Sequence, residues 1–393
     1  MKLLIILSRG PYPLEKGDKL RAFHQLKYLA KNNDVSLVCL NDIELHPEAN
    51  AVLNSICREV HIVQLSKFQI VLNLVKGLFS TKPLQVSYFY SKKAQQLIDS
   101  IITSKQPDHI YCQLIRTTEY VKQYTSIPKT LDYMDALSKG IERRIAKANW
   151  LFKTILKLEY KRLYTYEKTI FSFFNNKTII SEQDRELINH PDKNSIEIVA
   201  NGVDESFLNF PKKEDKKYDL LFSGNMSYPP NIESAVYIVE KILPLVKKQI
   251  PNIQLMIAGT SPTSKIIALR SNNVLVSGWV KDIKEIYASS KIVIAPMQTG
   301  TGLQNKLLEA MAMGIPCISS TLANNALKAI HNENILVADS PEQYAACIIE
   351  LINNTEKAND IARKGKNFVS INYGWDMMNA KLENIMKHSA TNN

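Results

Sequence analysis

A chain of 393 residues is too long for one ordinary domain and suits two, and its 45% hydrophobic and 22% charged residues are those of a soluble globular protein. The formal charge of +11 asks for an anionic partner, and the absence of any RNP-like, zinc-finger or helix-turn-helix signature argues against nucleic acid. Five scattered cysteines, Cys39, Cys57, Cys112, Cys317 and Cys347, lack metal-ligand spacing and read as reduced packing residues of a cytoplasmic protein.

The apolar run 3–7 is followed at once by Ser8-Arg9-Gly10-Pro11, too short for a signal-peptide core or for the roughly twenty residues of a membrane span. Short apolar runs then alternate with helical patterns, the mark of a parallel sheet wound with helices. The expected strands are 3–7, 35–40, 60–65, 109–112, 130–132, 178–181 and 196–199. After the first comes a glycine-bearing loop, then a helix capped by Asp18 with Leu20, Phe23, Leu26 and Ala30 on one face.

The segment 67–79 is apolar between Lys67, Lys76 and Lys82, and reads first as a core helix, second as one lying in a bilayer surface. A later stretch mixes Arg143, Arg144, Trp150, Phe152, Lys153 and Lys157, a second candidate for contact with anionic lipid. His109 belongs to a strand pattern and reads as packed. In Asn201-Gly202-Val203-Asp204, Gly202 is expected to permit a left-handed turn. The charged stretch 211–217 reads as a linker, after which strands restart at 218–223, 253–258, 274–277, 292–295, 316–319 and 335–337.

The densest signal lies near the end of the chain. A buried strand over 291–295 leads into a loop with Gly300 and Gly302, then a helix over 303–313 that Gly314 ends and Pro316 cannot continue. Strand, glycine turn and helix make an anion cradle, because the first amides of a helix have no intrahelical partner. Lys306 and Glu309 share a face of this helix with each charge at the end the macrodipole disfavours. A ligand would explain the placement, an ammonium for phosphate and a carboxylate for hydroxyls; a surface ion pair is the plainer alternative.

The run Asn305-Lys306-Leu307-Leu308-Glu309-Ala310-Met311-Ala312-Met313-Gly314-Ile315-Pro316 resembles the signature of retaining, nucleotide-sugar-dependent glycosyltransferases of family 4, and looks closest to sugar transferases found with exopolysaccharide and exosortase systems. The resemblance implies an α/β GT-B fold, two Rossmann-like domains facing across a cleft. It divides the chain into an acceptor-side domain over 1–210, a nucleotide-sugar-binding domain over 211–372 and a C-terminal helix over 373–393 crossing back to the first. By the same resemblance Gly17, Lys19 and Arg21 meet the acceptor and the donor phosphates, with Arg21 stabilising the departing diphosphate. Gln113 stands where many members place a catalytic histidine, and the acidic pair Asp132 and Asp135 follows a strand on the cleft wall. Gly224 and Asn225 lie in the phosphate turn, which lacks the usual arginine and lysine, and Gly278 and Val280 lie in the turn that meets the base. Amides from Gly300, Gly302 and Leu303 with the Lys306 ammonium hold the diphosphate, and Glu309 accepts bonds from ribose hydroxyls. Thr301 occupies the position of a glutamate found in the wider family.

The implied activity is transfer, with retention, from a nucleoside diphosphate sugar to a carbohydrate or polyprenyl-linked acceptor in cell-surface polysaccharide synthesis. No cofactor, metal or nucleic acid is expected. The implied place is cytoplasmic, or peripheral on the inner face of the cell membrane with an anionic lipid surface as partner. A non-catalytic scaffold of the same fold and a sugar-nucleotide epimerase are the alternatives.

Overall fold

The apolar runs pair as two parallel sheets in a computed structural model that describes residues 1–14, 17–299 and 302–391. The first sheet contains β1 (Lys2–Leu7), β2 (Asp34–Asn41), β3 (Glu59–Gln64), β4 (His109–Gln113), β5 (Lys129–Asp132), β6 (Asn176–Ile179) and β7 (Glu197–Ile198), in the order β3-β2-β1-β4-β5-β6-β7. The second contains β8 (Tyr218–Ser223), β9 (Leu255–Ala258), β10 (Val274–Gly278), β11 (Ser290–Ala295), β12 (Cys317–Ser319) and β13 (Leu336–Val337), in the order β10-β9-β8-β11-β12-β13. Central parallel strands are covered on both faces, which is why β1 reads as unbroken Leu-Leu-Ile-Ile-Leu with every one of those side chains buried.

Residues 1–200 with 376–393 form one unit, and 201–375 form the other. The division falls ahead of the charged segment 211–217. In the first unit helix Trp375–Thr391 packs on the face of the sheet that carries Leu3 and Ile5, burying Leu382 and Met386. Its Asn379 amide donates to the His24 carbonyl at 3.0 Å. In the second unit Gly202 is not held by a left-handed turn, as its sequence neighbours suggest. A Cβ there would stand 2.6 Å from the Trp375 backbone nitrogen, so close approach is the constraint.

Helix Gly17–Leu29 departs from the expected apolar face. Leu20 and Phe23 are only partly buried, whereas Arg21 and Gln25 turn fully inward. The Arg21 guanidinium meets Asp132, at the end of β5, through two bonds of 2.6 and 3.2 Å, and both side chains are wholly buried. Tyr111, Gln25 and Thr178 also donate to the Asp132 carboxylate. Charges removed from water are tolerated when paired this completely. The network ties helix Gly17–Leu29 to β4, β5 and β6.

The helix Lys67–Leu78 is not a core helix, contrary to the first reading of that stretch. It buries only Ile70 and Gly77, while Phe68 and Phe79 are 79% and 89% exposed. The cysteines are free, and all but the half-buried Cys347 are enclosed, as packing residues should be. No helix among the described residues is long and apolar enough to cross a membrane.

Asp132→Ala strands a buried guanidinium, and a loss of about 3–5 kcal/mol is expected in denaturant unfolding of the chain. A loss below about 1 kcal/mol would show that the pair is not a structural keystone.

Candidate active site

In open parallel sheets ligands bind outside the carboxyl ends of the strands where the order reverses. In the second unit that point lies between β8 and β11, at Ser223-Gly224 and Ala295-Pro296. The backbone there is tight. Gly224 and Gly259 have φ of +149° and +145°, and a Cβ on Gly259 would lie 1.7 Å from the Gly224 carbonyl oxygen. Only glycine at 259 lets the turns after β8 and β9 meet.

Helix Asn305–Ala312 follows β11, and Gln304 at its N-cap makes no side-chain bond to its first amides. The positive end of the helix is thus available to an anion. The observed helix starts later than expected. Gly302 and Leu303 precede it in irregular backbone, so Leu303 contributes no helical amide; Gly300 and Thr301 lie outside the described residues.

Lys306, the second residue of this helix, is 7% exposed. Its ammonium donates to Asn231 Oδ1 at 2.8 Å and stands 4.2 Å from the centre of the Phe222 ring. It makes no ion pair with Glu309, so the surface-pair alternative fails. Burial lowers the Lys306 pKa to about 7, with Glu309 opposing the shift. Glu309 accepts a bond of 2.8 Å from the buried Tyr287 hydroxyl, which in turn lies 2.6 Å from Ser223 Oγ. Desolvation raises Glu309 to about 7 against the opposing effects of Tyr287, Lys306 and Lys284. Glu309 is partly exposed whereas Lys306 is nearly enclosed, so the lysine carries the firmer electrostatic constraint.

Asn231 and Tyr287 were missed as site residues in the sequence. Asn231 lies in helix Pro229–Tyr237, just after the turn of Gly224 and Asn225, as an uncharged amide with no motif to mark it; Tyr287 lies in helix Ile283–Ala288, which carries no motif either. Asn231 Nδ2 also donates to the Asn225 carbonyl at 2.9 Å, joining the glycine turn to Lys306. The Asn225 side-chain oxygen is committed to Ser227, which donates from both its amide and its hydroxyl, so only the Asn225 amide group remains for a ligand. Gly278 ends β10, and Val280 lies between it and the N-cap Asp282.

The first unit corrects two assignments outright. Arg21 cannot stabilise a departing diphosphate, because it is fully buried and held by Asp132 and by the Ala200 carbonyl. Asp132 likewise lies in the core and forms no cleft wall. Gln113 does end β4 at the switch point of its sheet, where its amide donates to the Asp18 carbonyl at 3.2 Å. Gly17 is exposed at the start of its helix with open space around it, and Lys19 is buried. His109 is packed as expected: its Nε2 lies 2.8 Å from Thr130 Oγ1, and burial lowers its pKa to about 4.

Residues 217–354 match the family model described as glycosyl transferases group 1. The second unit is a group 1 glycosyltransferase domain. Over nearly its whole length the chain is also similar to an uncharacterized 44.6 kDa protein in the cps region of Klebsiella pneumoniae, 26% identical across 95% of this chain and 96% of that one. Among solved structures, a sucrose-phosphate synthase from Thermosynechococcus elongatus is 13% identical with a TM-score of 0.70, covering 100% of both chains. Anabaena Alr3699/HepE in complex with UDP-glucose is 13% identical with a TM-score of 0.67, covering 98% of this chain and 99% of that one. The fold is GT-B, two Rossmann-like parallel-sheet domains. Within the glycosyltransferase domain, Lys306 and Glu309 sit where the nucleotide-binding rule for such sheets places a ligand.

A raised carboxyl pKa favours folding below the unfolded value near 4.5, and that contribution is lost as pH rises through about 7. Glu309→Gln removes the ionisable group. The ligand-free variant is expected to gain on the order of 1–2 kcal/mol over the parent at pH 8, and little at pH 4.5, in unfolding measured across pH. Equal differences at both pH values would refute the raised Glu309 pKa.

Proposed function

We propose that the chain is a retaining glycosyltransferase of family 4 type, moving a sugar from a nucleoside diphosphate donor to a carbohydrate or lipid-linked acceptor in cell-surface polysaccharide synthesis. The observation that carries the reading is the Lys306 ammonium, buried at the start of an uncapped helix at the switch point of the glycosyltransferase sheet. The cps-region relative favours a polysaccharide product, and the UDP-glucose bound by the Anabaena neighbour favours a nucleotide sugar donor. The family 4 resemblance of the Asn305–Pro316 run supports retention.

Breaking the anomeric C–O bond leaves positive charge on the sugar and negative charge on the departing diphosphate. Preorganised dipoles and cations are the economical response. In this reading the amides at the start of helix Asn305–Ala312 receive the diphosphate, and Lys306 supplies the charge that its glycine turn lacks. Glu309, steadied by Tyr287, accepts from the ribose hydroxyls, and the Gly278–Val280 turn meets the base. Gln113, at the end of β4, is a hydrogen-bonding group that cannot act as a base. No metal enters this scheme. The work is done from the cytoplasm, with a lipid-linked acceptor presented at the inner face of the membrane.

A thermal-shift screen against UDP-, GDP- and other nucleotide sugars tests the pocket. One donor should raise the melting temperature of the parent and fail to do so in Glu309→Ala. No shift with any donor would favour a scaffold without catalysis, and an inverted anomeric configuration in a transfer product would sink the retaining mechanism.

The lowered lysine pKa adds an independent check. At pH 8 Lys306 is largely neutral without ligand, and a bound diphosphate restores its proton. Calorimetry in buffers of differing ionisation enthalpy should find uptake of up to about one proton per donor bound, abolished in Lys306→Met. Proton-neutral binding in the parent would remove Lys306 from the diphosphate.

A further inference from the structure

Helix Lys67–Leu78 carries two apolar stripes. The inner one, Ile70 and Leu74, packs on the core of the first unit. The outer one, Phe68, Leu72, Val75 and Phe79, follows the spacing i, i+4, i+7, i+11 with Val71 and Leu78 beside it, and all six are exposed. Single exposed apolar residues are ordinary, but a continuous stripe marks an interaction surface. Helix Trp150–Ile170 also exposes apolar residues in its opening turns: Phe152, Ile155 and Leu158 follow at i, i+3, i+6, and Trp150 at its first position is 81% exposed.

These two helices are fastened together. The Arg162 guanidinium donates to the Gly77 and Leu78 carbonyls at 2.7 and 2.9 Å, closing the C-terminal end of the first helix with a charge from the second. Glu159, one turn earlier, accepts from the Leu84 and Gln85 amides. Exposed lysines flank both stripes. Lys67, Lys76, Lys153, Lys157 and Lys161 have no carboxylate partner among the described residues, and the last three fall in line at i, i+4, i+8.

We propose that helix Lys67–Leu78 and the first turns of helix Trp150–Ile170 form one docking face for an anionic lipid bilayer. An apolar stripe bordered by lysines suits an interface where acyl chains meet phosphate headgroups, since lysine stems span the boundary and place their charges in the headgroup layer. A protein partner fits less well, because the buried centres of protein interfaces are depleted of lysine. A second copy of the chain would set the same cations against each other. Neither helix is long and apolar enough to cross the bilayer, so the face lies on it. The inference deepens the transferase reading by naming the surface from which a lipid-linked acceptor would be taken, and rests on that reading only for its biological meaning.

The test is co-sedimentation of the full chain, without donor, on phosphatidylcholine vesicles with and without phosphatidylglycerol. Binding is expected to the anionic vesicles only, and to fall with added salt. The partition coefficient should drop about tenfold or more in Phe68→Ser/Phe79→Ser and, separately, in Lys153→Glu/Lys157→Glu/Lys161→Glu. Both variants alter exposed side chains, and the donor-induced thermal shift of each should match the parent, which separates loss of docking from loss of fold or of the nucleotide site. Parent binding to neither vesicle, equal binding to both, variants that bind like the parent, or concentration-dependent dimerisation abolished by the same substitutions would each overturn the proposal.

Discussion

An ammonium enclosed by protein at the positive end of a helix is unfavourable twice over, by desolvation and by the dipole. Lys306 survives there because Asn231 accepts one of its hydrogens and the Phe222 ring faces its charge. Neither partner is an anion, so the positive charge is only partly answered. The parts of the site around it follow from this constraint. Asn231 must be held by the glycine turn after β8, that turn needs Gly259 against it, and the helix must begin without a side-chain cap.

A second buried cation shows the opposite outcome. Arg21 is as enclosed as Lys306, yet Asp132 meets it through two bonds and the remaining donors around that carboxylate are neutral groups. Its charge is fully answered, leaving nothing for a ligand. The guanidinium therefore organises the first unit, while the ammonium is poised for an anion. The difference lies in the partner, and not in the burial.

The same contrast governs the apolar residues. Helix Lys67–Leu78 has enough apolar surface for two faces but only one sheet to cover. The uncovered stripe and its lysines resemble the opening turns of helix Trp150–Ile170, and Arg162 makes the two a single platform. In the proposed reading, this surface is where the enzyme would meet a lipid-linked acceptor.

Strand positions, parallel pairing and the α/β class were legible in the sequence because buried parallel strands are continuous apolar runs and their crossovers keep helical period. The expected strands all formed, with ends shifted by a few residues. That Lys306 and Glu309 share one helix after β11 was legible too, because strand, glycine loop and helical period follow one another in the sequence. What spacing could not convey was pairing across distant segments. Arg21 and Asp132 are 111 positions apart, Lys306 and Asn231 are 75 apart, and no local pattern tells which charge meets which partner. Nor could periodicity decide which apolar face of 67–78 turns inward, since both stripes have helical spacing. Those choices belong to tertiary packing, because desolvation and partner geometry exist only once the sheets have brought their strand ends together.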